Sequence, residues 1–446
     1  MRILLFGATN IGWMIASRMY LGHDVTIIDD QGPLAEKFHS LDISFVSGSG
    51  TDIMALQRAN AAKADCFIAC SVHDEANIVA CWTAKKLAEI ETVCFVSRVD
   101  IFNNFAPSVQ NRYHTKYDID TVIWPEQLLT QDIFRILLVP GAVDVEYFDE
   151  GQAKMFEYPI RESSPLCSVP LKDYHFPDDV LMVGIYRDGG LFVPNGSSKV
   201  EAGDRAIFMG TGLGLDMLAA DIFPKSNNRI KTVAVIGGGN VGFFLAQKME
   251  QADLNVKIIE YDMARCEFLA DNLKKSLVLQ ADGTDIGLLE EESIGKMDAV
   301  VCVTNNDEKN LLCSLLVKQL GAQRVVTRVQ NVRNAKLFER VGIDVVVSPW
   351  ESALRELLNH FQTRNVDILA MVERGKGEVV RVTVPADFPD TMVMDLKLPA
   401  NVIIGMIKRH RGYLIPKGST VIHANDRLKI FTRTENKEGI NAVFTK

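Results

Sequence analysis

The residues of most chemical content lie in one short loop. Gly237-x-Gly239-x-x-Gly242 follows an apolar run, Val233 to Ile236, and opens a segment of helical period, Val241 to Glu250. This spacing is that of a strand–turn–helix phosphate loop. The first glycine turns the chain, the second lets the backbone approach a pyrophosphate, the third allows close helix–strand packing, and the helix N-terminus receives the anion. Glu260 stands 23 residues after Gly237, at the end of the next strand, where a carboxylate accepts hydrogen bonds from an adenosine ribose. The alternative is that the glycines only turn the chain and Glu260 is a solvated strand end. The acid at that distance favours nucleotide binding.

The same chemistry recurs in the first half. Phe6-Gly7-Ala8-Thr9-Asn10-Ile11-Gly12 matches Ile236-Gly237-Gly238-Gly239-Asn240-Val241-Gly242 at an offset of 230, and Asp29 takes the place of Glu260. Thr9 occupies the middle glycine position, so its side chain either intrudes on a pyrophosphate or replaces a backbone contact with a hydroxyl. The two sites are therefore expected to differ. The helix-opening residues Asn10, Ile11, Asn240 and Val241 join the glycines as candidate cofactor contacts.

Further blocks repeat in the same order. Gly50-Thr51-Asp52 pairs with Gly283-Thr284-Asp285, the latter preceded by Asp282. Such loops end parallel strands and line the ligand crevice, so Thr51, Asp52, Asp282, Thr284 and Asp285 either border the adenosine or cap the next helix. Ser71 to Asn77 pairs with Thr304 to Asn310. Ser71 and Thr304 count with the crevice, whereas capping is the expected role of Asp74, Asn77, Asp307 and Asn310. Ser97-Arg98-Val99 aligns with Thr327-Arg328-Val329, which puts Arg98 and Arg328 on the same sheet edge, for a phosphate or for an ion pair.

The elements that must carry these loops follow from periodicity. Apolar strands of four to six residues alternate with helical segments of ten or more, the signature of a doubly wound parallel sheet. Behind each such region lie short strands separated by turn residues, with Leu181 to Arg205 matching Val402 to Arg427 at offsets of 221 to 222. The chain is thus α/β and ordered A1-B1-A2-B2. Rossmann-like domains are expected at 1–124 and 230–348, and small α+β domains at 141–224 and 367–446. Apolar helices, Pro125 to Leu138 and Pro349 to Phe361, connect A to B, each with proline in its first turn. The polar run Lys225 to Arg229, after Pro224, marks the boundary between halves. A length of 446 residues suits several domains.

Composition narrows the function. A net charge of -9 argues against a nucleic-acid partner; the one dense basic run, Lys408 to Arg411, reads as a solvated hairpin turn. No stretch approaches the ~18–20 apolar residues of a membrane span. The eight cysteines form no C-x-x-C pair, so neither zinc nor disulfides are expected, and the chain reads as cytosolic. No nucleophile elbow, Walker lysine or H-E-x-x-H motif occurs. His73 and His114 do not recur in the other half. A catalytic set is lacking, and a non-enzyme is expected. The rivals are an NAD-dependent oxidoreductase and a nucleotide sensor of another cation transporter.

With the two loops, the two acids, the G-T-D loops, the D-E-x-N helix starts and the duplicated order, the chain resembles the family of Trk potassium-uptake regulatory proteins. That family carries tandem regulator-of-potassium-conductance (RCK, or KTN) domains, each a Rossmann-like lobe followed by a TrkA-C lobe. The likeness spans nearly the whole length. It implies binding of NAD(H) and of ATP or ADP, with the family glycines and acids falling on Gly7, Gly12, Asp29, Gly237, Gly239, Gly242 and Glu260. It further implies a homodimer or homotetramer forming a gating ring, docked on the cytoplasmic face of a Trk-type membrane potassium-translocating subunit.

Overall fold

A computed structural model describes residues 1–30, 38, 40–105, 117–222, 230–360, 366–410, 412–434 and 437–444. The expected boundary run Pro224 to Arg229, His114, Phe361 and Arg411 lie outside the described residues. The chain forms two compact units, one of Met1–Leu129 with Ser348–Leu357, the other of Thr130–Val347 with Leu358–Lys446.

In the first unit, strands β1 (Arg2–Phe6), β2 (Asp24–Asp29), β3 (Ser44–Ser47), β4 (Cys66–Ala69), β5 (Glu91–Phe95) and β6 (Thr121–Ile123) form one sheet in the order β3-β2-β1-β4-β5-β6. All pairings are parallel. Strand β1 is central, and the order reverses beside it, between β1 and β4. That switch point opens a crevice at the carboxyl ends of the strands, where the loop after β1 lies. Strands buried on both faces must be apolar throughout, as Ile3-Leu4-Leu5-Phe6 and Cys66-Phe67-Ile68-Ala69 are.

The second unit begins with an antiparallel sheet of β7 (Asp144–Phe148), β8 (Ala153–Pro159), β9 (Val180–Arg187), β10 (Gly190–Phe192) and β11 (Arg205–Thr211), in the order β10-β9-β11-β8-β7. The second Rossmann-like sheet follows, with β12 (Thr232–Ile236), β13 (Asn255–Glu260), β14 (Leu277–Gln280), β15 (Ala299–Cys302), β16 (Val325–Arg328) and β17 (Val345–Val347) in the order β14-β13-β12-β15-β16-β17. It repeats the first parallel sheet strand for strand. A last antiparallel sheet takes β18 (Val366–Val372), β19 (Gly377–Thr383), β21 (Val402–Arg409), β22 (Gly412–Leu414) and β24 (Arg427–Arg433) in the order β18-β19-β24-β21-β22, while β20 (Thr391–Met392) pairs with β23 (Val421–Ile422). Among the described residues, no helix is long and apolar enough to cross a membrane.

The two antiparallel sheets share one core. Phe148, Met155, Val183 and Met209 of the first pack with Val372, Val379, Met406 and Phe431 of the second. At Gly184 an added Cβ would lie 2.9 Å from the Phe431 ring, and at the equivalent Gly405 it would lie 2.6 Å from Met209 Sδ. Each sheet admits the other's large side chain at the same place. The basic run at the hairpin is less solvated than the sequence suggests. Arg409 grips the buried Asp426 through Nε (2.9 Å) and Nη2 (2.6 Å), as Arg187 grips Asp204 in the first repeat.

Two polar joints bind the second unit together. Arg324, just before β16, is half-buried and donates to the carbonyls of Ile136 (2.5 Å), Val139 (2.9 Å) and Ala142 (2.7 Å). These carbonyls end the helix Pro125–Leu138 and lead into β7, where a helix has acceptors to satisfy and a cation is favourable. Burial lowers the guanidinium to about 10, which leaves it charged at neutral pH. Arg205 forms the other joint. Its Nη1 lies 3.2 Å from Glu157 of β8 and 3.2 Å from Glu373 of the turn before β19, and its Nη2 lies 3.3 Å from Glu339 in the helix Val332–Arg340.

Two outcomes follow. Arg324→Met strands three carbonyls and should lower the free energy of unfolding by about 3 kcal/mol, read from urea denaturation. Burial first, then the Glu373 carboxylate, pushes the Glu157 carboxyl well above the usual range, with Arg205 opposing and Asp144 adding. The folded chain therefore keeps a proton that the unfolded chain releases near pH 4.3 or so. That stabilisation is complete below the unfolded value and is lost as pH rises towards the folded one. Glu157→Gln should flatten the fall in stability as pH rises above about 4.3; an unchanged slope would assign the titration elsewhere.

Candidate functional site

The first and third glycines are required by the chain itself. Gly7 and Gly237 have φ of 115° and 110°, and an added Cβ would lie 2.6 Å from Ser71 N and 2.8 Å from Thr304 N. At Gly12 and Gly242 a Cβ would lie 2.2 Å and 2.0 Å from the carbonyl oxygens of Gly7 and Gly237. The helix thus begins against the end of the central strand, its N-terminus at the switch point.

The middle position separates the two lobes. Gly239 is the N-cap of the helix Asn240–Gln251, with no side chain capping it, and a Cβ there would have no atom within 4 Å. The helix end is open to an anion. In the first lobe, Thr9 caps the helix Asn10–Met19. Its Oγ1 accepts from Gly12 N at 3.1 Å and donates to the Cys70 carbonyl at 3.0 Å. A pyrophosphate would have to displace that cap at about 1 kcal/mol, a handicap of roughly fivefold in affinity.

Both acids tie the second strand to the loop. Asp29 Oδ2 accepts from Ala8 N, and Glu260 Oε2 from Gly238 N, each at 2.6 Å; Glu260 Oε1 also accepts from Asp262 N at 2.9 Å. Each carboxylate oxygen has a second lone pair for a ribose hydroxyl.

The loops after the third strands resolve into turns and caps. Asp52 caps the helix Ile53–Arg58 through Met54 N (3.0 Å), and Asp285 caps Ile286–Glu291 through Gly287 N (2.9 Å) and Leu288 N (3.3 Å). Thr51 pairs with the Ser49 hydroxyl at 2.8 Å, and Thr284 donates to Asp282 through N (3.0 Å) and Oγ1 (2.8 Å). These Thr284 bonds hold the Asp282 carboxyl below its ordinary value.

The acids and amides after the fourth strands do not cap their own helices, contrary to the sequence expectation. Asp74 accepts from Ser97 N and Arg98 N (2.9 Å each), and Asp307 from Gln330 N (2.7 Å) and Asn331 N (3.1 Å). Asn77 Nδ2 donates to the carbonyls of Ser71 and Phe95, and Asn310 Nδ2 to those of Thr304 and Arg328, all at 3.0 Å. Their Oδ1 atoms take the Ser71 and Thr304 hydroxyls at 2.7 and 2.6 Å. Ser71 and Thr304 thus belong to a clamp between the fourth and fifth strands.

That clamp also corrects the pairing of the two arginines. It matches Phe95 with Arg328 and Arg98 with Asn331, a constant offset of 233. The S-R-V and T-R-V tripeptides align three residues out of register. Arg98 is exposed and pairs with Asp100 (2.5 Å) and Glu75 (2.6 Å). Arg328 is buried at the end of β16, with Nη1 2.9 Å from Asn305 Oδ1.

Sequence reasoning overlooked three residues at the second loop. Arg265, in the first turn of Met263–Asn272, donates from Nε to the Gly238 carbonyl at 2.7 Å. Tyr261 is 71% exposed directly after Glu260, with Lys309 Nζ 5.7 Å from its ring centre and 3.6 Å from Asp282. A cation five residues beyond the acid, aromatic residues around it, was the signal available for Arg265.

The TrkA-N domain model matches residues 3–123 and 233–349, and the TrkA-C domain model residues 155–222 and 378–438. The chain is 33% identical to Trk system potassium uptake protein TrkA homolog 2 of Methanosarcina mazei and 33% identical to the TrkA homolog of Archaeoglobus fulgidus, with 100% of each chain covered in both cases. The GsuK channel bound to NAD has the same fold at a TM-score of 0.62 and 18% identity, across 100% of this chain and 79% of that one.

The clamp can be tested without any ligand. Asn310→Ala leaves the Thr304 and Arg328 carbonyls without their amide donor and should lower the free energy of unfolding by about 3 kcal/mol. A loss within about 0.5 kcal/mol, the range of an ordinary surface change, would show that the clamp is dispensable.

Proposed function

Because this chain belongs to the TrkA family of Trk-system potassium uptake proteins, we propose that it is the nucleotide-binding regulatory subunit of a Trk-type system and not an enzyme. NAD(H), ATP or ADP in the glycine-loop sites sets the conducting state of a membrane subunit that translocates potassium. The observation that carries this reading is the uncapped helix end at Gly239 with the Glu260 carboxylate bonded to Gly238 N of the same loop. The backbone N–H groups of Asn240, Val241 and Gly242 would take a pyrophosphate, and Glu260 a ribose hydroxyl. The NAD bound to a channel of the same fold supports the same ligand class.

Gating needs no bond chemistry. A nucleotide shifts an equilibrium by its differential affinity for the two states, and about tenfold per site is worth about 1.4 kcal/mol. Moving a population from ~1:99 to ~99:1 takes about 5.5 kcal/mol, which several sites supply together. A homodimer or homotetramer forming a ring against the inner face of the membrane sums such contributions. Within the second unit, the Arg324 and Arg205 joints tie the second Rossmann-like lobe to both TrkA-C lobes.

Calorimetric titration with NADH, NAD, ATP and ADP tests this. Wild type should show two unequal classes of site without NADH oxidation. Gly239→Thr copies the first lobe's cap and should weaken the stronger class about fivefold or more, and Thr9→Gly should strengthen the weaker class about fivefold. If wild type takes up none of the four nucleotides, the sensor reading fails.

A further inference from the structure

Arg265 is held in place from three sides. Its Nε donates to the Gly238 carbonyl at 2.7 Å, and its guanidinium carbon lies 4.4 Å from the Phe268 ring centre and 5.7 Å from that of Phe243. The two rings meet at 5.1 Å, so the cation sits in an aromatic corner. Asp262 Oδ1 accepts from Arg265 N at 2.7 Å, which fixes the start of its helix. The Nη2 atom is buried and has no hydrogen-bond partner among the described residues. A buried donor on a charged group left unmade is costly, and an acceptor from a ligand would relieve it.

The position of this cation indicates which part of a ligand it meets. Glu260 takes the N–H of Gly238 and Arg265 takes its carbonyl, so acid and base hold the same loop residue. In dinucleotide folds an acid here takes the adenosine 2′-hydroxyl, or an arginine nearby accommodates a 2′-phosphate, and this loop carries both residue types. A planar guanidinium stacked on aromatic rings suits a phosphate. Both Glu260 oxygens already accept backbone N–H groups, which offsets the repulsion that a 2′-phosphate would meet.

We propose that Arg265 is a specificity-determining residue of the second site, through which that site accepts adenosine dinucleotides carrying a 2′-phosphate, NADP(H), alongside NAD(H). The proposal rests on the nucleotide-binding reading and deepens it. It applies to the second lobe: five residues after Asp29, where the first lobe would need the same cation, the sequence has Leu34.

Titration of the full chain with NADH and NADPH, for wild type, Arg265→Met and Arg265→Lys, decides the matter. Wild type should bind NADPH within about tenfold of NADH. Arg265→Met should lose about tenfold or more in NADPH affinity and less than about threefold in NADH, the loss expected of a charge-assisted hydrogen bond. Arg265→Lys keeps the charge, and it should recover part of the NADPH affinity. NADPH excluded by wild type, or both nucleotides weakened equally in Arg265→Met, overturns the proposal and leaves the nucleotide reading intact. Binding of neither nucleotide by wild type sinks that reading as well.

Discussion

At the start of the helix behind each glycine loop there is no room for a single carbon atom. The Cβ absent from Gly242 would sit 2.0 Å from the Gly237 carbonyl, and that absent from Gly12 would sit 2.2 Å from Gly7. This contact sets how closely the helix approaches the central strand and where its N-terminus points. The acid of the second strand then reaches the loop's own N–H groups, and the clamp between the fourth and fifth strands closes the other side of the crevice. The carboxyl edge of each parallel sheet is organised around that approach.

On this common frame one atom divides the lobes. The Thr9 hydroxyl turns inward to cap its own helix, satisfying an N–H that an anion would otherwise need. Gly239 leaves the corresponding helix end open. Around that opening the second lobe adds Arg265, Tyr261 and Lys309. At the equivalent places the first lobe has Asp30 for Tyr261 and Ala76 for Lys309, and Leu34 for Arg265. Duplication has kept the frame while the polar groups at its mouth have diverged, which suits two sites of different affinity.

The second unit joins its parts by charge as well as by apolar packing. The core shared by the antiparallel sheets brings them face to face. Half-buried arginines add direction, Arg324 at the end of a helix and Arg205 among three glutamates from three separate segments. Buried ionic groups of this kind contribute little net stability but resist rearrangement, because separating one partner strands a charge.

The sequence alone determined the α/β class, the duplicated order, the loops and their acids, since those depend on local periodicity and on glycines at fixed spacing. The capping of Asp52 and Asp285 was legible as one of two roles for the same reason. The roles of Asp74, Asn77, Asp307 and Asn310 were not, because each also reaches a partner 18 to 27 residues away on a neighbouring strand or helix. Nor was the true register of Arg98 and Arg328, which a chance tripeptide obscured and only backbone carbonyls reveal. Arg265, Arg324 and Arg205 each owe their importance to burial against distant groups. A side chain's type is written in the chain, whereas the desolvation that makes its charge matter comes from packing, and only the tertiary structure decides that.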